Sequence, residues 1–379
     1  MIDRFLEVRS QSEILCQPLL IEDYSVQASE FVSPPKWHLA HVTWFWEEFV
    51  LTKYSPEYSP YNDDFSFLFN SYYNNVGKRV LRPVRGLMTR PSVDEVYAYR
   101  NYVTQAMVAL LKTNLDKEVL DVIEIGINHE QQHQELFVYD IKYILGNQPL
   151  FPQYGSGFTP KEISQVSGFS KIESGIYSIG HQGDRFSFDN ELGAHKVYVD
   201  DFEISSNLVS NKEYLDFIEA GGYSDFNFWH DEGWSWINEN KIQAPLYWHK
   251  FDGEWWNYTL QGLQKVNLDL PVMHISFYEA FAYSQWKGMR LPTEFEWEIA
   301  SEKFSWGQLW EWTHSAYLPY PRFNKSLGAL GEYNGKFMVN QMVLRGGSVA
   351  TPEGHSRKTY RNFFHASMRW QYNGIRLIK

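Results

Sequence analysis

Lys117 to Gly146 read KEVLDVIEIGINHEQQHQELFVYDIKYILG, and this stretch decides the architecture of the N-terminal half. Apolar residues recur at helical spacing along it, Gly146 closes it and Pro149 stands beyond. Within the helix, His129 and His133 are four apart and lie on one face, where two imidazoles can be aimed at one ion. A third ligand is available from Trp37-His38-Leu39-Ala40-His41. His41 shares a helical face with Trp37, Trp44 or Phe45 and Glu48 and is read as that ligand, while His38 is read as a hydrogen-bonded core residue.

Working outward, helical spacing covers about 3–15, 34–53, 92–113 and 117–145, which predicts a four-helix bundle with room for a metal among facing helices. Ser33 before Pro34 and Pro35 is expected to cap the second helix, and Ser92 with Glu95 forms a capping box before the third. From Asn147 to about Ser170 the composition turns to Gly, Pro, Ser and Gln, so residues 1–146 are read as the bundle and 147–170 as a linker. Residues 171–379 are expected to form an α+β domain rich in loops. Its strands include His195–Ser205 and Gly374–Ile378, and its helices start at Ser210/Glu213, Ser276/Glu279 and Thr293/Glu296. There is no internal repeat.

A chain of 379 residues with 44% hydrophobic residues is long enough for two cores, hence two domains. The 17% aromatic content suggests flat pocket walls as well as core. A formal charge of −12 argues against nucleic acid and anionic membrane as partners. The sequence has no apolar run long enough to cross a membrane and its start is unlike a signal peptide, so a cytoplasmic location is expected. Cys16 is the sole cysteine, which rules out an internal disulfide or a cysteine-based zinc site. Any metal must therefore sit on histidine and carboxylate.

Three imidazoles suit zinc and iron alike. Glu130 directly follows the first histidine, as a zinc protease requires, but the third ligand lies upstream on another helix, against that pattern. Glu130 is read as a solvated carboxylate or one beside the ligands.

The segments Trp37-His38-Leu39-Ala40-His41, His129-Glu130-Gln131-Gln132-His133-Gln134-Glu135-Leu136, Leu344-Arg345-Gly346-Gly347-Ser348, Arg361-Asn362-Phe363-Phe364 and Gly374-Ile375-Arg376-Leu377 together resemble the ergothioneine-biosynthesis sulfoxide synthases of EgtB type. The resemblance implies a DinB-like four-helix bundle followed by a domain with the formylglycine-generating-enzyme, or C-type-lectin-like, fold. Gly288 to Glu298 and Leu309-Trp310-Glu311-Trp312-Thr313 resemble that second fold. The cysteine-pair chemistry of the formylglycine-generating enzymes is excluded by the lone Cys16.

By resemblance, His41, His129 and His133 bind iron(II), and Gln132 contacts the imidazole substrate. That substrate is hercynine, N-alpha-trimethylhistidine, and cysteine and oxygen are the co-substrates. Asn362, Phe363 and Phe364 stand where the family holds the quaternary ammonium, whose charge favours aromatic faces. Actinobacterial members have Asn-Trp-Asp there, and the Asn-Phe-Phe version resembles the subgroup that uses free cysteine. Tyr72 and Tyr73, within Phe69-Asn70-Ser71-Tyr72-Tyr73, are expected to supply the proton that favours sulfoxide over thiol dioxygenation, with Tyr317 or Tyr320 as the fallback. Arg79, Arg82, Arg85 and Arg90 are concentrated nearby. Arg82 is assigned to the carboxylate of the sulfur donor, Arg85 is second choice and Arg376 a further candidate. The motifs leave room for a synthase acting on histidine (ovothiol type), on gamma-glutamylcysteine or on a selenium donor (selenoneine type). They also admit a metal-stabilised small-ligand-binding protein or a DinB-like zinc-dependent thiol transferase.

Overall fold

Apolar spacing folds the N-terminal half of the computed structural model into α1 (Ile2–Ile14), α2 (Pro35–Trp46), the short α3 (Thr52–Tyr54) and α4 (Phe65–Phe69), α5 (Val93–Leu111) and α6 (Lys117–Gly146). The structure describes residues 1–74, 76–164, 168–324 and 334–379. All 12 residues of helix α2 are buried, including Lys36, His38, His41 and Thr43. It packs against α5 and α6, while α1 lies along α6. The segment expected as one helix over 34–53 widens into a π-turn at Glu47–Leu51. There the buried Glu47 carboxylate accepts from the hydroxyls of Tyr58 and Tyr99.

Two of the expected helix ends differ. Pro34, not Ser33, occupies the cap position of α2, because Ser33 is engaged elsewhere: its hydroxyl accepts from Arg85 and its N–H donates to Asp140. Gly146 is the last residue of α6 and is followed by Asn147 in a right-handed conformation, so it does not end the helix by a left-handed turn. A Cβ at Gly146 would lie 2.7 Å from the Tyr258 ring and 3.0 Å from that of Tyr247, so a close approach to the second half requires the glycine. Ser92 caps α5 by accepting from the Glu95 N–H, but the Glu95 side chain does not complete the expected capping box.

Beyond α6 the chain runs irregularly across both halves. Tyr154 donates its hydroxyl to the Leu15 carbonyl and its N–H to that of Leu260. Residues 165–167 of the expected linker lie outside the described residues. The remaining elements are β1 (Phe169–Ile172), β2 (Gly175–Ile179), β3 (His195–Val199), β4 (Phe202–Ser205), α7 (Asn211–Glu219), α8 (Asp231–Glu239), β5 (Trp248–Phe251), β6 (Glu254–Thr259), β7 (Gly262–Lys265), α9 (Phe277–Trp286), α10 (Glu294–Ala300), β8 (Trp310–Ala316), β9 (Met342–Arg345), β10 (Asn362–Phe364) and β11 (Asn373–Gly374). The three capping boxes before α7, α9 and α10 are complete in both directions.

The central sheet has the order β10-β9-β8-β11, antiparallel except for the parallel pair of β11 with β8. Strands β5, β6 and β7 form an antiparallel meander, and β1/β4 and β2/β3 are separate antiparallel pairs. The single strand expected over 195–205 is two, since the exposed Asp200 and Asp201 break it and send its halves to different partners. The strand expected over 374–378 reduces to Asn373–Gly374, with Ile378 held by isolated bridges to Ile204 and Arg290.

The apolar interior is one cluster reaching from Phe5 to Leu377 through both halves, with a small satellite around Ile204, Ala300 and Ile378. Two separate cores were expected. They merge because the C-terminal part of α6 presents Tyr139 and Tyr143 to Trp370, Tyr372 and Tyr247. Among the described residues no helix is long and apolar enough to cross a membrane.

Candidate metal centre and the cavity beside it

Helices α2 and α6 bring His41, His129 and His133 together, with one ring nitrogen from each lying within 4.8 Å of the others. The His41 ring stacks on Trp37, centroids 4.5 Å apart and planes at 10°. Its Nδ1–H donates to the Phe69 carbonyl at 2.7 Å, so the lone pair is on Nε2. That Nε2 is buried and has no hydrogen-bond partner among the described residues. A buried imidazole nitrogen without a partner is costly unless something outside the chain accepts its lone pair, and a divalent metal does. Burial pushes His129 down to about 3 and holds His41 and His133 well below the ordinary histidine range. All three are thus neutral, as ligation requires.

His38 points at the same group without joining it. Its Nδ1 meets Nδ1 of His133 at 3.0 Å, and its Nε2 meets Asp140 Oδ2 at 2.9 Å. It is the hydrogen-bonded core residue expected.

Glu130 is neither solvated nor beside the ligands. It is fully buried and faces α1 and α5, where its oxygens accept from Ser12, Trp46, Arg9 and Arg100. Burial alone would raise its pKa, but the two guanidiniums outweigh that and hold it at about 2. Held by these four partners toward α1 and α5, the Glu130 carboxylate is not available to the histidine cluster.

Beside the histidines a cavity of about 530 Å³ opens between the two halves. His38, His129 and His133 reach its wall, as do Gln132, Tyr72, Arg79, Arg82, Arg85, Asn362, Phe363 and Phe364. Gln132 donates to the Tyr360 hydroxyl oxygen at 2.6 Å. Tyr72 stacks on Tyr73 at 4.6 Å, and Tyr73 lies beneath it, fully buried against Trp44 and Phe49. Asn70 fixes this loop: its side chain accepts from the Tyr73 N–H and donates to the Tyr73 carbonyl. Phe363 stacks on Tyr317 at 4.0 Å, and Phe364 meets Trp370 edge-on at 5.1 Å.

The arginines divide by their partners. Arg85 is buried flat on Trp37 at 3.4 Å and donates one hydrogen bond, to Ser33, while its Nε has no hydrogen-bond partner among the described residues. Arg82 lines the cavity with a guanidinium that makes no hydrogen bond or ion pair among the described residues, although the Asp140 charge acts on it. Arg79 donates to the Ser71 carbonyl, Arg90 is exposed, and Arg376 is bound to Glu311 in the core, which removes it as a carboxylate anchor. The fallback tyrosines are committed too: Tyr317 accepts from Asn190, and Tyr320 donates to Glu294. Neither lines the cavity.

Residues 4–137 match the DinB superfamily, and residues 156–308 match the sulfatase-modifying factor enzyme 1-like domain. Over 93% of its length the chain is 27% identical to the hercynine oxygenase of Mycolicibacterium smegmatis, of which it covers 92%. The chain is homologous to the hercynine oxygenases. The enzyme of that name from Mycolicibacterium thermoresistibile is 26% identical over 93% of this chain and 88% of its own. The second half of this hercynine-oxygenase homologue is also similar to the formylglycine-generating enzyme of Thermomonospora curvata, at 30% identity over 39% of this chain and 54% of that one. A DinB-like bundle followed by a domain of formylglycine-generating-enzyme type is therefore its architecture.

Several residues of the homologue's site escape a reading of the sequence. Glu135, on the cavity wall, accepts from Trp310, Ser348 and Thr351 and so ties α6 to the second half. Asp140 accepts from Ser33, His38 and Trp370. Both carboxylates interrupt the apolar face of α6, which is the signal that could have marked them as buried and paired. Phe31, Phe337 and Trp370 add aromatic walls from three distant segments and carry no such signal.

Proposed function

We propose that this hercynine-oxygenase homologue is a non-haem iron(II), oxygen-dependent sulfoxide synthase that joins cysteine sulfur to the imidazole carbon of hercynine in ergothioneine biosynthesis. The observation that carries the reading is the trio of neutral histidines, with His41 Nε2 uncommitted and with His129 and His133 reaching the wall of an aromatic cavity. Iron(II) held by His41, His129 and His133 would supply the activation of oxygen. The balance requires one dioxygen: a carbon–hydrogen and a sulfur–hydrogen bond break, a carbon–sulfur bond forms, one oxygen atom goes to sulfur and the other leaves as water.

The chain's own residues then bind, orient and exclude water. Arg82 lines the cavity and has the fork geometry for the amino-acid carboxylate of cysteine, with no hydrogen bond holding its guanidinium among the described residues. Gln132, braced by Tyr360, orients the imidazole, while Asn362, Phe363 and Phe364 offer polar and aromatic surface to the trimethylammonium end. Tyr72, on the wall, with Tyr73 stacked behind it, is the proton source that directs the outcome toward sulfoxide. A cavity between two rigid halves keeps these groups in register.

The test is product analysis by mass spectrometry after mixing the iron(II)-loaded chain, in air and under exclusion of oxygen, with hercynine or histidine and with cysteine or gamma-glutamylcysteine. The expected result is hercynylcysteine sulfoxide, formed only in air and best from free cysteine. A product from histidine or from the dipeptide would reassign the substrate. Ligand binding with no oxygen-dependent product from any pair would overturn the reading in favour of a binding protein.

A further inference from the structure

A hydrogen-bond chain runs from the second half of the molecule into the metal centre. Trp370 Nε1–H donates to Asp140 Oδ1 at 2.9 Å, and the Ser33 N–H donates to Oδ2 at 2.8 Å. His38 Nε2 meets that Oδ2 at 2.9 Å, and His38 Nδ1 meets His133 Nδ1 at 3.0 Å. Asp140 and His38 are both buried. The direction of each bond follows from chemistry. A carboxylate only accepts, so His38 carries its proton on Nε2, and its Nδ1 is a lone pair that accepts from His133 Nδ1–H. That leaves the His133 lone pair on Nε2. Without this chain the His133 ring could turn or take the other tautomer, with its proton on Nε2.

We propose that His38 and Asp140 are positioning residues that fix the orientation and tautomer of His133, and that Trp370 locks the carboxylate from the other half of the chain. The inference rests on the metal-centre reading above. Partners of this kind typically change metal affinity by about 10- to 100-fold. His38 differs from an ordinary core histidine because both of its ring nitrogens are used, in opposite senses, by groups on α6. A glutamine has the same acceptor and donor about as far apart as the two imidazole nitrogens, so it can bridge His133 and Asp140. A leucine fills the space but makes neither bond.

The test uses the metal-free full chain, titrated with cobalt(II) and followed by ligand-field absorption, with His38→Leu, His38→Gln, Asp140→Asn and His133→Ala alongside. Expected are a 10- to 100-fold loss of cobalt affinity with altered bands for His38→Leu, and a loss of about tenfold for Asp140→Asn. An asparagine must set its amide hydrogens against one of three donors. His38→Gln should stay within about threefold of the parent and keep its bands. Thermal melts of the metal-free variants separate folding from ligation, and the glutamine variant decides should the leucine variant fail to fold. Parent-like affinity and bands in His38→Leu, or an equal loss in His38→Gln, would overturn the proposal. A parent chain that binds no cobalt, or binds it equally with His133→Ala, would instead overturn the metal centre itself.

Discussion

Replacing Glu130 by Gln should cost about 3–5 kcal/mol of stability, because it leaves two buried guanidiniums without their counter-charge. The carboxylate is fully buried and holds Arg9 at 3.1 Å, Arg100 at 3.2 Å, Trp46 at 2.8 Å and Ser12 at 2.7 Å. Linkage supplies an independent figure. A pKa lowered from 4.5 to about 2 corresponds to about 3 kcal/mol, at 1.36 kcal/mol for each pH unit. The sign follows from a depressed acid: its contribution is complete above about pH 4.5 and fades as the pH falls toward about 2. Urea denaturation of parent and variant, followed by circular dichroism at pH 7 and pH 3, should therefore show a gap that is largest at pH 7 and smaller at pH 3. Cobalt affinity should change less than about threefold in variant that is still folded, since the carboxylate faces away from the histidines. A variant that denatures with the parent yet loses turnover would refute the reasoning.

Lys142 is buried against Tyr247 and Tyr372, with its ammonium 2.8 Å from His274 Nε2, and burial lowers its pKa to about 7. A base with a depressed pKa is protonated first in the unfolded chain, so stability should drop as the pH is lowered from about 10 to about 7, by up to about 1.4 kcal/mol per unit. Lys142→Met should flatten that slope in urea denaturation, and an unchanged slope would mean the ammonium has a stronger partner. Tyr72→Phe, or Tyr73→Phe, should shift product from sulfoxide toward cysteine sulfinate by mass spectrometry, and an unchanged ratio in one removes that tyrosine from proton delivery.

Local geometry was legible in the sequence, and distant partnership was not. His129 and His133 could be read as a pair because four residues make one helical turn, and His41 could be chosen over His38 from the face it shares with Trp37. Asp140 was missed because Ser33, His38 and Trp370 stand 107, 102 and 230 residues away. Gly146 was read as a stop signal, its commonest meaning, whereas the rings of Tyr247 and Tyr258 supply the actual reason. The same limit explains Glu130: helical spacing says which residues share a face but not which faces meet an arginine. Strand-forming residues stand on both sides of Asp200 and Asp201, so composition joined two strands that pair with different neighbours.

Helix α6 supplies two metal-site histidines and, through Glu135 and Asp140, accepts hydrogen bonds from Trp310 and Trp370 of the second half. The two halves match separate families, yet they are not interchangeable cassettes. A recombination that brought in a foreign second half would also have to bring indole donors at the matching depth, or strand two buried carboxylates. Positions 135, 140, 310 and 370 should therefore drift together across a lineage, with the fused pair inherited as a single trait.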